Sequence, residues 1–160
     1  TNRSQRLDEE AVDSVIRIAL QIEPDFAEAH CNLGITLQAQ GRLPEATVRY
    51  RRALQLNPAL AAAHNNLGSV LKDQGQLDEA VACCQRAIQL EPNHAAAHGN
   101  LGLALQEQGR LDEAIACYER AVQIDPQFDQ AFYNLGNALR CQGRFTESIA
   151  CFQRAIQLKP

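Results

Sequence analysis

The sequence predicts an all-α fold of stacked antiparallel helix pairs. Proline recurs at Pro24, Pro58, Pro92, Pro126 and Pro160, each 34 residues after the last. Between the prolines, Asn-Leu-Gly returns at 32–34, 66–68, 100–102 and 134–136, and Gln-Gly at 40–41, 74–75, 108–109 and 142–143. Composition agrees: 46% of residues are hydrophobic but only 5% aromatic, with no Trp. The Ala, Leu and Gln that prevail favour helix over a sheet of aromatic and β-branched residues. A fixed period of this length marks an architecture in which each unit buries its apolar face against the next.

Taken in order, residues 1–26 precede the first full unit. Leu7 to Pro24 reads as a second helix without its partner, either a cap or the remnant of an earlier unit. Its Leu7-Asp8-Glu9-Glu10-Ala11 carries one residue more than Leu77-Asp78-Glu79-Ala80, so the register slips there. In the unit at 27–60, a first helix runs from about Ala27 to Gln40, with His30, Leu33, Gly34 and Leu37 at the i, i+3, i+4, i+7 spacing of one helical face. Gly41 stops it, because a residue just past a helix end commonly takes the left-handed conformation. A second helix runs from about Pro44 to Leu56, where Ala46, Tyr50, Ala53 and Leu54 repeat the spacing and Pro44 fits a first turn. Asn57-Pro58 ends it. The units at 61–94, 95–128 and 129–160 repeat this plan. Glycine within a helix costs roughly 0.5–1 kcal/mol against Ala. Gly34, Gly68, Gly102 and Gly136 therefore imply close helix crossings, expected opposite Ala46, Ala80, Ala114 and Ser148. No helix follows Phe145 to Leu158, which leaves an apolar face open to self-association. Thr1 in place of an initiator Met and a last residue at Pro160 lead to the expectation of a cut or partial chain.

His30-x-x-Leu33-Gly34-x-x-Leu37, then Ala46-x-x-x-Tyr50, then Pro58, resembles the tetratricopeptide repeat on its 34-residue period. Four units in register carry the resemblance over essentially the whole chain. The departures conserve size: His or Phe132 stands for the family's Trp, Leu for its first Tyr, Ser148 for one Ala, and Cys84 for one aromatic. The resemblance implies a right-handed α-α superhelix whose first helices line an inner concave wall, with the second helices outside.

At 100° per residue, Asn32 shares a stripe with Glu28, Ile35 and Ala39, beside the buried face. The matching stripes are Ala62, Asn66, Ser69, Asp73; Ala96, Asn100, Leu103, Glu107; and Gln130, Asn134, Asn137, Cys141. Asparagine is a poor helix former, yet it recurs four times on one edge. Its carboxamide pairs donor with acceptor, as a peptide group does, and suits an extended backbone of any sequence. The ladder is similar to that inside the long arrays of O-linked N-acetylglucosamine transferases. The competing expectation is that these amides bond between neighbouring repeats or to water. Glu28, Lys72, Asp73, Glu107 and Arg140 differ between units and are expected to set specificity, with Tyr133 and Phe128 as aromatic anchors. Chaperone-binding arrays of the family clamp an acidic C-terminal carboxylate with Lys and Arg on the inner helices next to Asn. Here Glu28, Ala62, Ala96 and Gln130 precede the asparagines by four residues, which argues against such a clamp.

Other chemistries find little support. A net charge of −4 with scattered Arg gives no basic face for nucleic acid. No apolar run approaches the roughly 18–20 residues of a membrane span, and residues 1–7 have no secretory pattern. The six Cys show no C-x-x-C spacing and read as free thiols of a reducing, cytoplasmic compartment. Cys83, Cys117 and Cys151 recur as small packing residues. His30, His64 and His98 sit on separate helices, too far apart to share a metal; His94 and His98 lack both a Glu after the first and a third ligand. No phosphate loop or nucleophile elbow occurs, so neither metal, cofactor nor catalysis is expected. The reading is a scaffold that binds a protein or peptide segment in its groove. The alternatives are the substrate-recruiting arm of a larger enzyme such as a glycosyltransferase, and a self-assembly module joined through its terminal helices.

Overall fold

The computed structural model describes residues 14–16 and 18–159. Residues 14–16 and 18–22 are helical and make up α1. Eight helices follow: α2 (Ala27–Ala39), α3 (Leu43–Leu56), α4 (Ala61–Asp73), α5 (Leu77–Leu90), α6 (Ala95–Glu107), α7 (Leu111–Ile124), α8 (Asp129–Cys141) and α9 (Phe145–Leu158). The described residues contain no strand. Each first helix packs on the second helix that follows it, giving units 1 to 4 as α2/α3, α4/α5, α6/α7 and α8/α9; each second helix then packs on the next first helix. The observed ends lie within a residue of those the sequence implies, with Pro44 in the first turn of α3.

The tight turn inside each unit is the same device four times. Gly41 has φ +74, and Gly75, Gly109 and Gly143 have φ between +75 and +79, a conformation costly for any residue with a Cβ. Gly41 N–H donates to the Gln38 carbonyl at 2.9 Å and Arg42 N–H to the Leu37 carbonyl at 2.9 Å, which satisfies two carbonyls the helix end leaves open. The arginine after that glycine then grips the first turn of the second helix. Arg42, Arg110 and Arg144 each make a forked pair with Glu45, Glu113 and Glu147 at 2.6–2.8 Å. Unit 2 has Gln76 instead, and its Glu79 pairs with Arg51 of unit 1 at 2.9 Å.

Within each hairpin, the helical glycine faces a large side chain. A Cβ on Gly34 would lie 2.5 Å from the Tyr50 ring, on Gly68 2.5 Å from Cys84 Sγ, on Gly102 2.6 Å from the Tyr118 ring, and on Gly136 2.8 Å from the Phe152 ring. The close crossing follows the sequence expectation, but the group against the glycine is this larger side chain. Ala80 adds a contact from its carbonyl, 3.2 Å from the Gly68 position, and Ser148 Oγ donates to the Gly136 carbonyl at 2.7 Å. Tyr50, Cys84 and Tyr118 are fully buried.

The histidine column ties each first helix to the proline turn before it. Nε2 of His30, His64 and His98 lies 2.9–3.1 Å from the carbonyls of Pro24, Pro58 and Pro92. A carbonyl only accepts, so Nε2 carries the proton and donates. Phe132 takes the equivalent place in unit 4 and packs without that bond.

The array curves in a definite sense. Each first helix from α2 to α8 contacts the next first helix, whereas no second helix contacts the next second helix among the described residues. The first helices therefore crowd the inside of the bend and form its concave wall. At the start, Ile16 and Leu20 of α1 pack against the core while Val15, Ile18 and Ile22 are exposed. The part of this expected helix before Ser14 lies outside the described residues.

The ring-on-backbone contact predicts that Gly102→Ala forces the Tyr118 ring off its seat. An overpacking loss of about 1–3 kcal/mol is expected in urea unfolding, with the helical spectrum retained. An unchanged midpoint would show that the contact is slack.

Candidate functional site

The first helices carry the stripes read from the sequence. Glu28, Asn32, Asp73, Glu107, Gln130, Tyr133 and Arg140 are exposed; Asn66, Ser69, Lys72, Asn100, Asn134 and Asn137 are half-buried. Phe128 sits elsewhere, in the joint between units 3 and 4. Its ring would be 3.4 Å from a Cβ at Gly99, so it packs units together and does not line the groove.

The ladder is partly tied to itself. Asn100 Nδ2 donates to Asn65 Oδ1 at 2.9 Å, Asn65 Nδ2 to Asn66 Oδ1 at 3.3 Å, and Asn66 Nδ2 makes a weak 3.9 Å contact with Cys31 Sγ. Each link runs from one first helix to the next or between neighbours, so the amides hold units 1 to 3 in register. At the other end, Gln130 Nε2 donates to Asn134 Oδ1 at 3.0 Å. A carboxamide has two N–H donors and two acceptor lone pairs. Asn66 thus keeps one N–H and one lone pair, Asn100 one N–H and its whole carbonyl, and Asn134 both N–H groups. Of the two sequence expectations, the bonding between neighbouring repeats is seen in units 1 to 3, and part of each amide is left unused.

Why Asn134 differs is legible in the position before the ladder. Cys31, Asn65, Gly99 and Tyr133 occupy one repeat position, and the asparagine of the next unit reaches it. Asn66 finds a thiol and Asn100 an amide. Asn134 would meet Gly99, which offers no side chain, and turns to Gln130. Asn65 is buried and central to this chain, yet it lies outside the stripes read from the sequence. The adjacent Asn65-Asn66 pair, unmatched in the other units, is the signal that it carries a distinct role.

A second set of contacts couples wall to core. Tyr50 O–H donates to Gln38 Oε1 at 2.9 Å and Tyr118 O–H to Gln106 Oε1 at 3.1 Å. Gln38 Nε2 in turn lies 3.4 Å from Ser69 Oγ of unit 2. Where the core residue lacks a hydroxyl, the wall residue is a cation: Lys72 accompanies Cys84 and Arg140 accompanies Phe152. Lys72 pairs with Asp73 at 2.5 Å and with Glu107 of unit 3 at 3.7 Å, so the middle of the groove presents two carboxylates around one half-buried ammonium. At the last unit, Tyr133 lies 52% exposed with its ring centroid 5.7 Å from that of Phe152.

All the thiols but the exposed Cys141 are buried or half-buried. Burial pushes Cys84 up to about 12 and Cys117 up to about 11, and raises Cys31, Cys83 and Cys151. The same cause raises Tyr50 and Tyr118. All six cysteines are free, and no group of three metal-binding side chains occurs among the described residues. Nor is any helix there long and apolar enough to cross a membrane.

Two family models described as Tetratricopeptide repeat match residues 59–127 and 100–160, and one described as TPR repeat matches residues 36–75. A comparison with curated proteins found no match. Among solved structures, the chain is similar to MamA, with 26% identity over 99% of this chain and 92% of that one and a TM-score of 0.81. It is similar to YrrB, described as a TPR protein with an unusual peptide-binding site, at 25% identity over 98% and 81% and a TM-score of 0.73. It shares its fold with PilF of Pseudomonas aeruginosa, at 24% identity over 99% and 72% and a TM-score of 0.88.

Thiol burial gives an ordered prediction. Under iodoacetamide near pH 7.5, mass spectrometry should find the exposed Cys141 modified first and Cys84 only after denaturation, since the thiolate is the nucleophile. The same shifts act on stability. A thiol held higher in the folded chain contributes fully below its unfolded value, about 8.5, and loses that contribution as pH climbs toward the folded 11–12. Urea midpoints should fall above about pH 9, and Cys84→Ala should reduce the fall; an equal fall in that variant would assign it to other groups.

Proposed function

Because the chain is an array of tetratricopeptide repeats, we propose that it is a non-catalytic interaction scaffold whose concave wall holds an extended segment of a partner protein. The observation that carries this reading is the unused hydrogen-bonding capacity of Asn32, Asn66, Asn100 and Asn134, repeated once per unit along the inner edge. Each remaining N–H and carbonyl matches the donor and acceptor of a peptide group. Helices in contact lie about 8–10 Å apart and an extended chain advances about 3.3 Å per residue, so one rung would serve roughly three residues of ligand. Backbone contacts of this kind hold a segment without reading its side chains. Selectivity then falls to groups that vary between units: Glu28, Ser69, Lys72 with Asp73 and Glu107, Gln130, Tyr133, Asn137 and Arg140.

The bridged amides favour this reading. A side chain already held at one end loses less freedom when a ligand takes the other, so binding costs less entropy than it does with free rotors. The match to YrrB, a TPR protein described as having a peptide-binding site, supports a peptide as the ligand class.

The test compares the intact chain with Asn32→Ala, Asn66→Ala, Asn100→Ala and Asn134→Ala combined, as bait in a lysate. Loss of the Asn100 to Asn65 bond alone is expected to lower stability by about 0.5–1.5 kcal/mol, so urea unfolding is measured beside it and capture is done where both chains are folded. Partners retained by the intact chain should be lost by the variant. Equal capture by both makes the ladder purely a tie between repeats and sinks the reading.

A further inference from the structure

The side of the array opposite the ladder also contains grooves, one where α1 meets unit 1 and one between units 2 and 3, and the two differ. In unit 1 the groove is floored by His30 and Leu33 and filled by Arg49, whose side chain borders both remaining hollows, of about 430 and 240 Å³. The equivalent positions between units 2 and 3 are His98, Leu101 and Cys117, with Ala116 where unit 1 has Val48. The smaller residues leave one open hollow of about 580 Å³, walled by Ile88, Leu101 and Cys117 and rimmed by Gln85, Gln89 and Arg120. Its thiol is neutral, since burial raises Cys117 to about 11.

Besides the polar rim, His98 lines this hollow. His98 donates from Nε2 to the Pro92 carbonyl at 3.1 Å, which leaves Nδ1 as an unprotonated acceptor. The Nδ1 atoms of His30 and His64 are sealed in the interior without a partner, whereas His98 lines the open groove. We propose that this groove is a second binding site, which takes a tyrosine side chain of a partner protein: the ring packs on Ile88, Leu101 and Cys117, and the phenol donates to His98 Nδ1. A phenol supplies the two features the hollow asks for, an apolar body and a donor at its tip. The Arg120 guanidinium at the rim, held by Asn93 at 3.2 Å, adds an attraction for the ring face. This site is independent of the concave reading.

The test is an NMR titration of the full chain with N-acetyl-tyrosinamide, and with N-acetyl-phenylalaninamide as the match that lacks the donor. The tyrosine amide should shift the Ile88 and Leu101 methyl signals saturably, and the phenylalanine amide should bind about fivefold more weakly, the loss of one hydrogen bond. His98→Phe copies what unit 4 carries at Phe132 and should make the two ligands equal. Cys117→Arg copies Arg49 and should abolish the shifts, as should Ala116→Val in part. The combined asparagine variant should bind the tyrosine amide unchanged. No saturable shift in the intact chain, a tyrosine preference that survives His98→Phe, or full binding by Cys117→Arg would each overturn the proposal.

Discussion

The architecture depends on one contact made four times, a side chain from the second helix lying directly on the backbone of the first. Tyr50, Cys84, Tyr118 and Phe152 approach Gly34, Gly68, Gly102 and Gly136 so closely that no Cβ fits. Helix propensity argues against glycine at those places, so the helix forms because tertiary packing outweighs an intrinsic loss of roughly 0.5–1 kcal/mol per site. The contact fixes how deeply the hairpin closes. That depth brings successive first helices into contact while successive second helices stay apart, and this difference bends the array. The concave wall is therefore a consequence of where the glycines sit.

The inner wall also reports on the core through hydrogen bonds. Tyr50 and Tyr118 are buried to the ring, and each places its hydroxyl on a wall glutamine. A buried phenol left without an acceptor costs about 1–3 kcal/mol, so Gln38 and Gln106 complete the core as much as they line the groove. Replacing the tyrosine with Cys84 or Phe152 removes that demand, and there the wall position becomes Lys72 or Arg140. The two changes are physically one. A long cation left over a buried hydroxyl would give it no acceptor, because an ammonium or guanidinium only donates.

Much of this was legible in the sequence because the repeat supplies four readings of each position. The proline period, the Asn-Leu-Gly and Gln-Gly columns and the helical spacing give the helix pairs and their ends to within a residue. A glycine recurring in mid-helix announces a close crossing. It does not say which residue makes the crossing, because the small Ala46 column fits a close approach as well as Tyr50 does. The ladder was legible as a column, yet its state was not. Whether Asn100 faces solvent or Asn65 depends on how far apart α4 and α6 lie and on what stands one residue before the neighbouring asparagine. Those are properties of the curvature, which a periodicity argument does not contain. The role of His98 was hidden for a similar reason. Size alone explains a histidine at a Trp-like site; its bond to Pro92 needs the fold of the intervening turn.

Repetition separates scaffold from function in a way a single domain does not. Positions held constant across the units, such as the turn glycines at φ near +75 and the histidine-to-proline bonds of the first three, answer demands every unit shares. Positions that vary while the backbone stays the same are free of those demands, and their variation must answer to something else. Arg49 against Cys117 and Gln38 against Lys72 are variations of this kind, one on each side of the array. Stability alone does not account for the second. A wall glutamine satisfied by a tyrosine serves packing well, whereas Lys72 brings a half-buried ammonium that must recruit Asp73 and Glu107 to stay neutralised. Such a cluster contributes little net stability when its members are this exposed, because solvent screens the attraction that desolvation would otherwise strengthen. What it does provide is a charge pattern at the middle of the groove that the neighbouring units lack, and under the proposed function a ladder that gripped any backbone would need such local differences to prefer one segment over another.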